Sequence, residues 1–169
     1  MLELARTEVA VVLVSASPEA VDAATDGTEA IRTAPDEALL LAAPGSAADL
    51  VAAAAKRTRA RDDDALVLDA TDGWAAWALE GAEARSAFAY LSALHLPEGD
   101  GATQGEVARV PAKVVARGDA LHLLVPAMWE THLRERILAD CASLGVTEAS
   151  APRAWASGTP PKRARKRSS

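Results

Sequence analysis

At 169 residues and half hydrophobic, the chain fits one domain with a sizeable core, and with aromatics at 4% that core has to be close-packed Ala, Val and Leu. The net charge of −6 hides −11 on the body, 13 basic against 24 acidic residues, because Lys162, Arg163, Arg165, Lys166 and Arg167 crowd the C-terminus; an acidic body excludes the basic patch of an ordinary nucleic-acid-binding domain. The one cysteine, Cys141, excludes an internal disulfide, and no apolar run approaches the ~20 residues of a membrane-spanning helix.

Residues 8–14, rich in Val, predict a strand too short to be a typical helix. Glu3 and Glu8 lead into it where a secretion signal would be basic, so a cytoplasmic protein is expected. Ser17-Pro18 predicts the start of a short helix over 18–24, ended near Gly27. A weaker strand is expected over 28–33, and Pro35-Asp36 turns the chain into a buried strand over 37–43. Pro44-Gly45 ends that strand. Ser46 and Asp49 then form a capping-box-like start for an Ala-rich helix to about residue 60, whose Lys56, Arg57, Arg59 and Arg61 suit the negative pole of the helix dipole.

Asp62-Asp63-Asp64 marks a loop, followed by a strand over 65–70 and, past the Asp72-Gly73 turn, another over 74–80. Ala84, Ala87, Phe88, Leu91 and Leu94 share one face of a predicted helix. A long strand over 104–116 is expected to reach an edge or a bulge at Pro111. Gly118-Asp119 turns it into a strand over 121–125. A last helix over 128–144 points Leu133, Ile137, Leu138, Cys141 and Leu144 inward, and Gly145 closes it.

The order is β-α-β-β-α, a connecting strand, then β-α-β-β-α again. The expected class is α+β, two ferredoxin-like repeats packed as one domain over residues 1–150, with a Pro/Ser linker and basic tail over 151–169. Residues 37–44 and 119–126 echo each other as acid, apolar strand and proline, by duplication or by convergence on a common strand-to-helix signal.

Candidate chemistry is sparse. His95, His122 and His132 have no metal-ligand spacing among them, and a single cysteine cannot complete a set. Cys141 on an apolar helix face reads as an inert packed thiol, and Asp62–Asp64 as a solvated loop. The sequence contains no G-x-G-x-x-G, no G-x-x-x-x-G-K-[ST] and no G-x-S-x-G, so no nucleotide cradle or nucleophile elbow is expected. Catalytic residues and metal ligands are assigned to none of its positions. Trp74 and Trp77 point to opposite faces of one strand, and Trp155 lies beyond the last helix. These tryptophans, with Lys162, Arg163, Arg165, Lys166 and Arg167, are the partner-interface candidates, Trp155 packing onto its own domain being the alternative.

Three stretches carry a likeness. They are Ala34-Pro-Asp-Glu-Ala-Leu-Leu-Leu-Ala-Ala-Pro-Gly-Ser, Val67-Leu-Asp-Ala-Thr-Asp-Gly-Trp-Ala-Ala-Trp-Ala-Leu-Glu-Gly-Ala-Glu-Ala-Arg, and Glu106-Val-Ala-Arg-Val-Pro-Ala-Lys-Val-Val-Ala-Arg continuing to Asp119-Ala-Leu-His-Leu-Leu-Val-Pro. In order and spacing, over residues 9–144, the chain resembles the sarcosine oxidase gamma-subunit family, relatives of the folate-binding aminomethyltransferase domain of the glycine cleavage T-protein. The resemblance implies a part in the oxidative demethylation of sarcosine. It implies an accessory subunit, not an enzyme by itself, docked in a hetero-oligomer onto larger oxidase subunits that hold the flavin, FAD or FMN. Tetrahydrofolate is the one ligand it leaves open for this chain, and no catalytic or folate-binding residue is carried over. The alternatives are a stand-alone folate or one-carbon binding protein, and a scaffold that docks to another assembly through its surface or basic tail.

Overall fold

Strands that run Val-Val-Leu-Val or Leu-Leu-Leu, with no polar alternation, need cover on both faces. The chain supplies it in four layers. The computed structural model describes residues 1–156, an α+β arrangement of two sheets; Lys162, Arg163, Arg165, Lys166 and Arg167 lie outside the described residues. The smaller sheet contains β2 (Ala10–Ser15), β3 (Ala30–Ala34), β4 (Glu37–Ala42) and β5 (Leu66–Asp69), antiparallel throughout in the order β3-β4-β2-β5. Helices α1 (Pro18–Thr25) and α2 (Ala47–Arg59) cover its outer face, where Val21 and Ala54 share a core with Val12, Val14 and Leu40.

The larger sheet has seven strands. Its main body is β1 (Glu3–Glu8), β6 (Trp74–Glu80), β9 (Ala120–Pro126), β8 (Val110–Arg117) and β7 (Gly101–Val107), neighbours in that order. Two short pieces, β10 (Thr147–Glu148) and β11 (Arg153–Ala154), run parallel to the outer side of β1. Helices α3 (Ala84–Phe88) and α4 (Glu130–Asp140) lie on the outer face, and Phe88, Leu133 and Ile137 pack there against Leu4, Trp77 and Leu123. The inner faces meet through Val9, Val11, Leu39, Leu41, Ala76 and Leu124. No helix among the described residues is long and apolar enough to cross a membrane.

Several expectations are corrected. The strand expected over 8–14 is two strands that part at Val9, β1 entering one sheet and β2 the other. Polar Glu3, Arg6 and Glu8 concealed β1, although Leu2 and Leu4 are buried. The segment read as a connector, β5, is the fourth strand of the smaller sheet, antiparallel to β2. The long strand expected over 104–116 is a hairpin. Ala108 and Arg109 turn it with φ of 51° and 67°, a left-handed pair normally given to Asn and Gly. The amide of Ala108 donates to the Leu91 carbonyl at 2.8 Å, and its carbonyl meets His132 Nε2 at 3.0 Å, which holds the turn in place. Pro111 pairs with Glu106 in the part of β8 that projects past β9, so its missing N–H costs no ladder bond there.

Helix α3 stops at Phe88, five residues long, although Ala84, Ala87, Phe88 and Leu91 are buried as the spacing predicts. Ser46 caps no helix amide; its hydroxyl donates to the Ala43 carbonyl at 2.6 Å. Leu133, Ile137 and Cys141 are buried on α4 and its exit, Leu138 and Leu144 pack partly buried against them, and Gly145 closes the turn with φ 68°.

Candidate functional site

The β1–β2 crossing, the end of β5, the start of β6 and the N-terminal ends of α2 and α4 surround a cleft of about 630 Å³. Its charge is acidic, with Glu8, Asp69, Asp72 and Glu130 against Arg6. Arg6 Nε donates to Glu130 Oε1 at 2.6 Å, so the single cation is already paired. Asp69 serves the turn that follows β5: the hydroxyl and then the amide of Thr71 hold its carboxyl below the ordinary range, the amide at 3.0 Å. Thr71 Oγ1 also accepts the Val11 amide at 3.1 Å, which ties that turn to β2. Trp74, half-buried, forms one wall, and Thr7 lies in the floor with its hydroxyl buried and unpartnered. Such a site favours a cationic or N–H-rich group and disfavours phosphate or carboxylate.

A second polar group lies deeper, between the sheets. The indole of Trp155 is buried there at 1% exposure, packed in one cluster with Val9, Ala76, Val115 and Leu124. The Trp155 Nε1–H donates to Glu29 Oε2 at 3.0 Å. Arg117 pairs with the other carboxylate oxygen of Glu29, donates to the Ala156 carbonyl, and lies 4.4 Å over the indole. The His122 ring meets the indole at 4.7 Å. Burial, and then the nearby Arg117 cation, push the His122 pKa down to about 4, so its ring is neutral at pH 7. This group closes the sandwich where the chain leaves it; an indole clamped on three sides offers nothing to a substrate.

The candidate residues are thereby separated. Trp77, 4% exposed, and Trp155 are spent on the chain's own packing, which removes both from any surface, and Trp155 carries the folded body past the boundary expected at residue 150. Of the three candidate tryptophans only Trp74 keeps an open side. His122, half-buried on β9, is turned toward the Trp155 indole and joins no other histidine. Burial raises the Cys141 thiol pKa, in keeping with an inert packed cysteine. Asp62 accepts the Ser17 amide at 2.6 Å and the Asp64 amide at 3.0 Å, a loop brace rather than a ligand set. No group of three His, Cys, Asp or Glu converges on a metal position among the described residues. The clamp partners Glu29 and Arg117 carried no sequence signal, since 88 positions separate them.

Comparison with known proteins places this geometry. No family model matches the sequence, and no curated protein matches it. Solved structures do. A chain of heterotetrameric sarcosine oxidase from Corynebacterium sp. U-96 superposes with a TM-score of 0.74 at 18% identity, over 88% of this chain and 88% of that one. Glycine cleavage system aminomethyltransferase T from Bartonella henselae gives 0.64 at 17% identity, over 88% of this chain and 47% of that one. The fold is therefore the one these proteins share, as the three sequence stretches suggested.

Proposed function

We propose that the chain is a non-catalytic docking subunit of a multi-subunit, flavin-dependent oxidase acting on sarcosine or a related secondary amine. The observation that carries this reading is the extent of the likeness. It spans 88% of both chains, so this protein matches nearly the whole of one chain from a heterotetrameric sarcosine oxidase and only 47% of the aminomethyltransferase. In this reading the flavin chemistry belongs to the larger subunits, and the present chain contributes surface.

Tetrahydrofolate offers a pterin whose pyrimidinone ring is flat, and an anionic glutamate tail. The Trp74 wall and the carboxylates of the cleft suit the first; the second meets a net acidic lining whose one cation, Arg6, is engaged by Glu130. The residues present do not fit the whole molecule. Trp74 is the observation that favours the second reading, a stand-alone folate or one-carbon binding protein, and titration of the full chain with tetrahydrofolate decides it. Saturable quenching of Trp fluorescence would support that alternative.

Isolation of the tagged full chain from its native cells tests the docking-subunit reading. The expected result is co-elution with larger polypeptides that carry flavin absorbance and oxidise sarcosine. A chain that elutes alone, or that is yellow and turns over without other protein, contradicts it.

A further inference from the structure

The sandwich has four sheet margins, and three are closed. The β1 margin is covered by β10 and β11, tied down by Arg153 to Glu3 at 2.7 Å and by Arg134 to Glu148 at 2.6 Å. The β3 and β7 margins meet each other: Gln104 Nε2 donates to the Thr33 carbonyl at 3.0 Å. A register shift between Arg32 and Ala34 also bends β3, and Arg32 covers it by donating to the Ala34 carbonyl at 2.9 Å. Bulges and covering side chains of this kind are how native sheets protect an edge.

The fourth margin, β5, has none of these devices. Its register with β2 is unbroken from Leu66 to Asp69, it contains no Lys or Pro, and no strand pairs its outer side among the described residues. Leu66 and Leu68 stand 48% and 46% exposed on one face of it. The Ala70 amide bonds the Val11 carbonyl at 2.9 Å, which sets the phase of the ladder: residues 66 and 68 bond inward to β2, and the amides of Val67 and Asp69 point outward. Exposed Asp63 and Asp64 precede the strand, exposed Asp69 ends it and exposed Asp72 follows.

We infer that β5 is a docking edge that accepts an extended segment of another polypeptide, apolar at alternate positions and basic at both ends. The inference rests on the docking-subunit reading and names the surface it would use. Charge selects the occupant. An antiparallel β5–β5 pair would bring the aspartates of one copy against those of the other, which disfavours a second copy. The same carboxylates attract lysine or arginine flanking an incoming strand. Backbone bonds from Val67 and Asp69 supply affinity, and Leu66 and Leu68 supply side-chain cover, the division of labour seen when a strand adds to a sheet edge.

The test uses the full chain and a fluorescent probe peptide, Lys-Val-Thr-Val-Thr-Val-Lys, with backbone NMR shifts to locate it. Expected is saturable binding that moves the 66–69 amides and weakens with salt. Val67→Pro removes an outward donor and no inward bond, and is expected to lower affinity by about tenfold, the worth of one hydrogen bond. Should Val67→Pro fail to fold, the pair Leu66→Thr and Leu68→Thr keeps strand propensity and is expected to weaken binding comparably. No binding, binding elsewhere, or equal binding by the variants overturns the inference whatever copurifies with the chain. So does peptide binding that emerges only when residues 157–169 are deleted, which would make the chain's own basic segment the occupant, or a dimer that Val67→Pro dissolves. Peptide binding at β5 by a chain that never brings down a flavoprotein would leave the docking edge standing and remove the oxidase reading.

Discussion

The margin near Trp155 and the margin at β5 solve the same problem in opposite ways. At the first, the chain brings back its own C-terminal segment, buries an indole between the sheets and surrounds it with Glu29, Arg117 and His122. At the second, two half-exposed leucines and outward amides are left without cover among the described residues. The lesson is that exposure of apolar surface here is local and selective. A chain able to seal one margin with a tryptophan and an ion pair leaves another open beside a row of carboxylates. Stability should therefore depend on the first region, and association on the second.

The largest effect is expected at the plug. Trp155→Ala should cost about 3–5 kcal/mol in denaturant unfolding, the range for truncating a large buried aromatic. A loss under about 1 kcal/mol would show that the two margins are not different in kind. Next comes pH. The folded His122 pKa is about 4, below the ~6.5 of an unfolded histidine. The unfolded chain thus takes up the proton first as pH falls. Stability is fully present above about 6.5 and is lost on the way down to about 4, by at most about 3 kcal/mol. His122→Leu should flatten that part of the profile, measured as urea midpoints at a series of pH values.

Glu29→Gln should cost about 2 kcal/mol, because it strips Arg117 of its counter-charge in a mostly buried site. Arg117→Met in the same background should restore part of the loss. The smallest effect belongs to the open margin. Leu66→Thr with Leu68→Thr should change stability by about 1 kcal/mol or less, since both side chains already meet water. A large loss there would mean that β5 is part of the core and not a free edge.

Much of this contrast could be read from the sequence, and the missing parts have physical causes. The strand-turn-helix punctuation gave β4, β6, β9 and α2 within a residue or two, because Pro, Gly and Asp-Gly act locally. The buried faces of α3 and α4 followed from spacing. The split at Val9 did not, because a strand that changes sheets keeps its local pattern and changes only its distant partners. The Ala108–Arg109 turn was hidden because neither residue favours a left-handed conformation; bonds to Leu91 and His132, distant in sequence, impose it. The Trp155 clamp lies wholly in long-range contacts, and the acidic cleft gathers Glu8, the Asp69–Asp72 turn and Glu130 from three separate segments. Sequence located strand β5; its role as an edge came from topology.

Hydrogen–deuterium exchange on the full chain, alone and in the complex recovered from native cells, tests the central contrast most directly. The account predicts that the outward amides of Val67 and Asp69 gain protection in the complex while residues 30–34 and 101–107 do not change. Protection gained along β3 or β7, with β5 exchanging as freely as in the isolated chain, would contradict it.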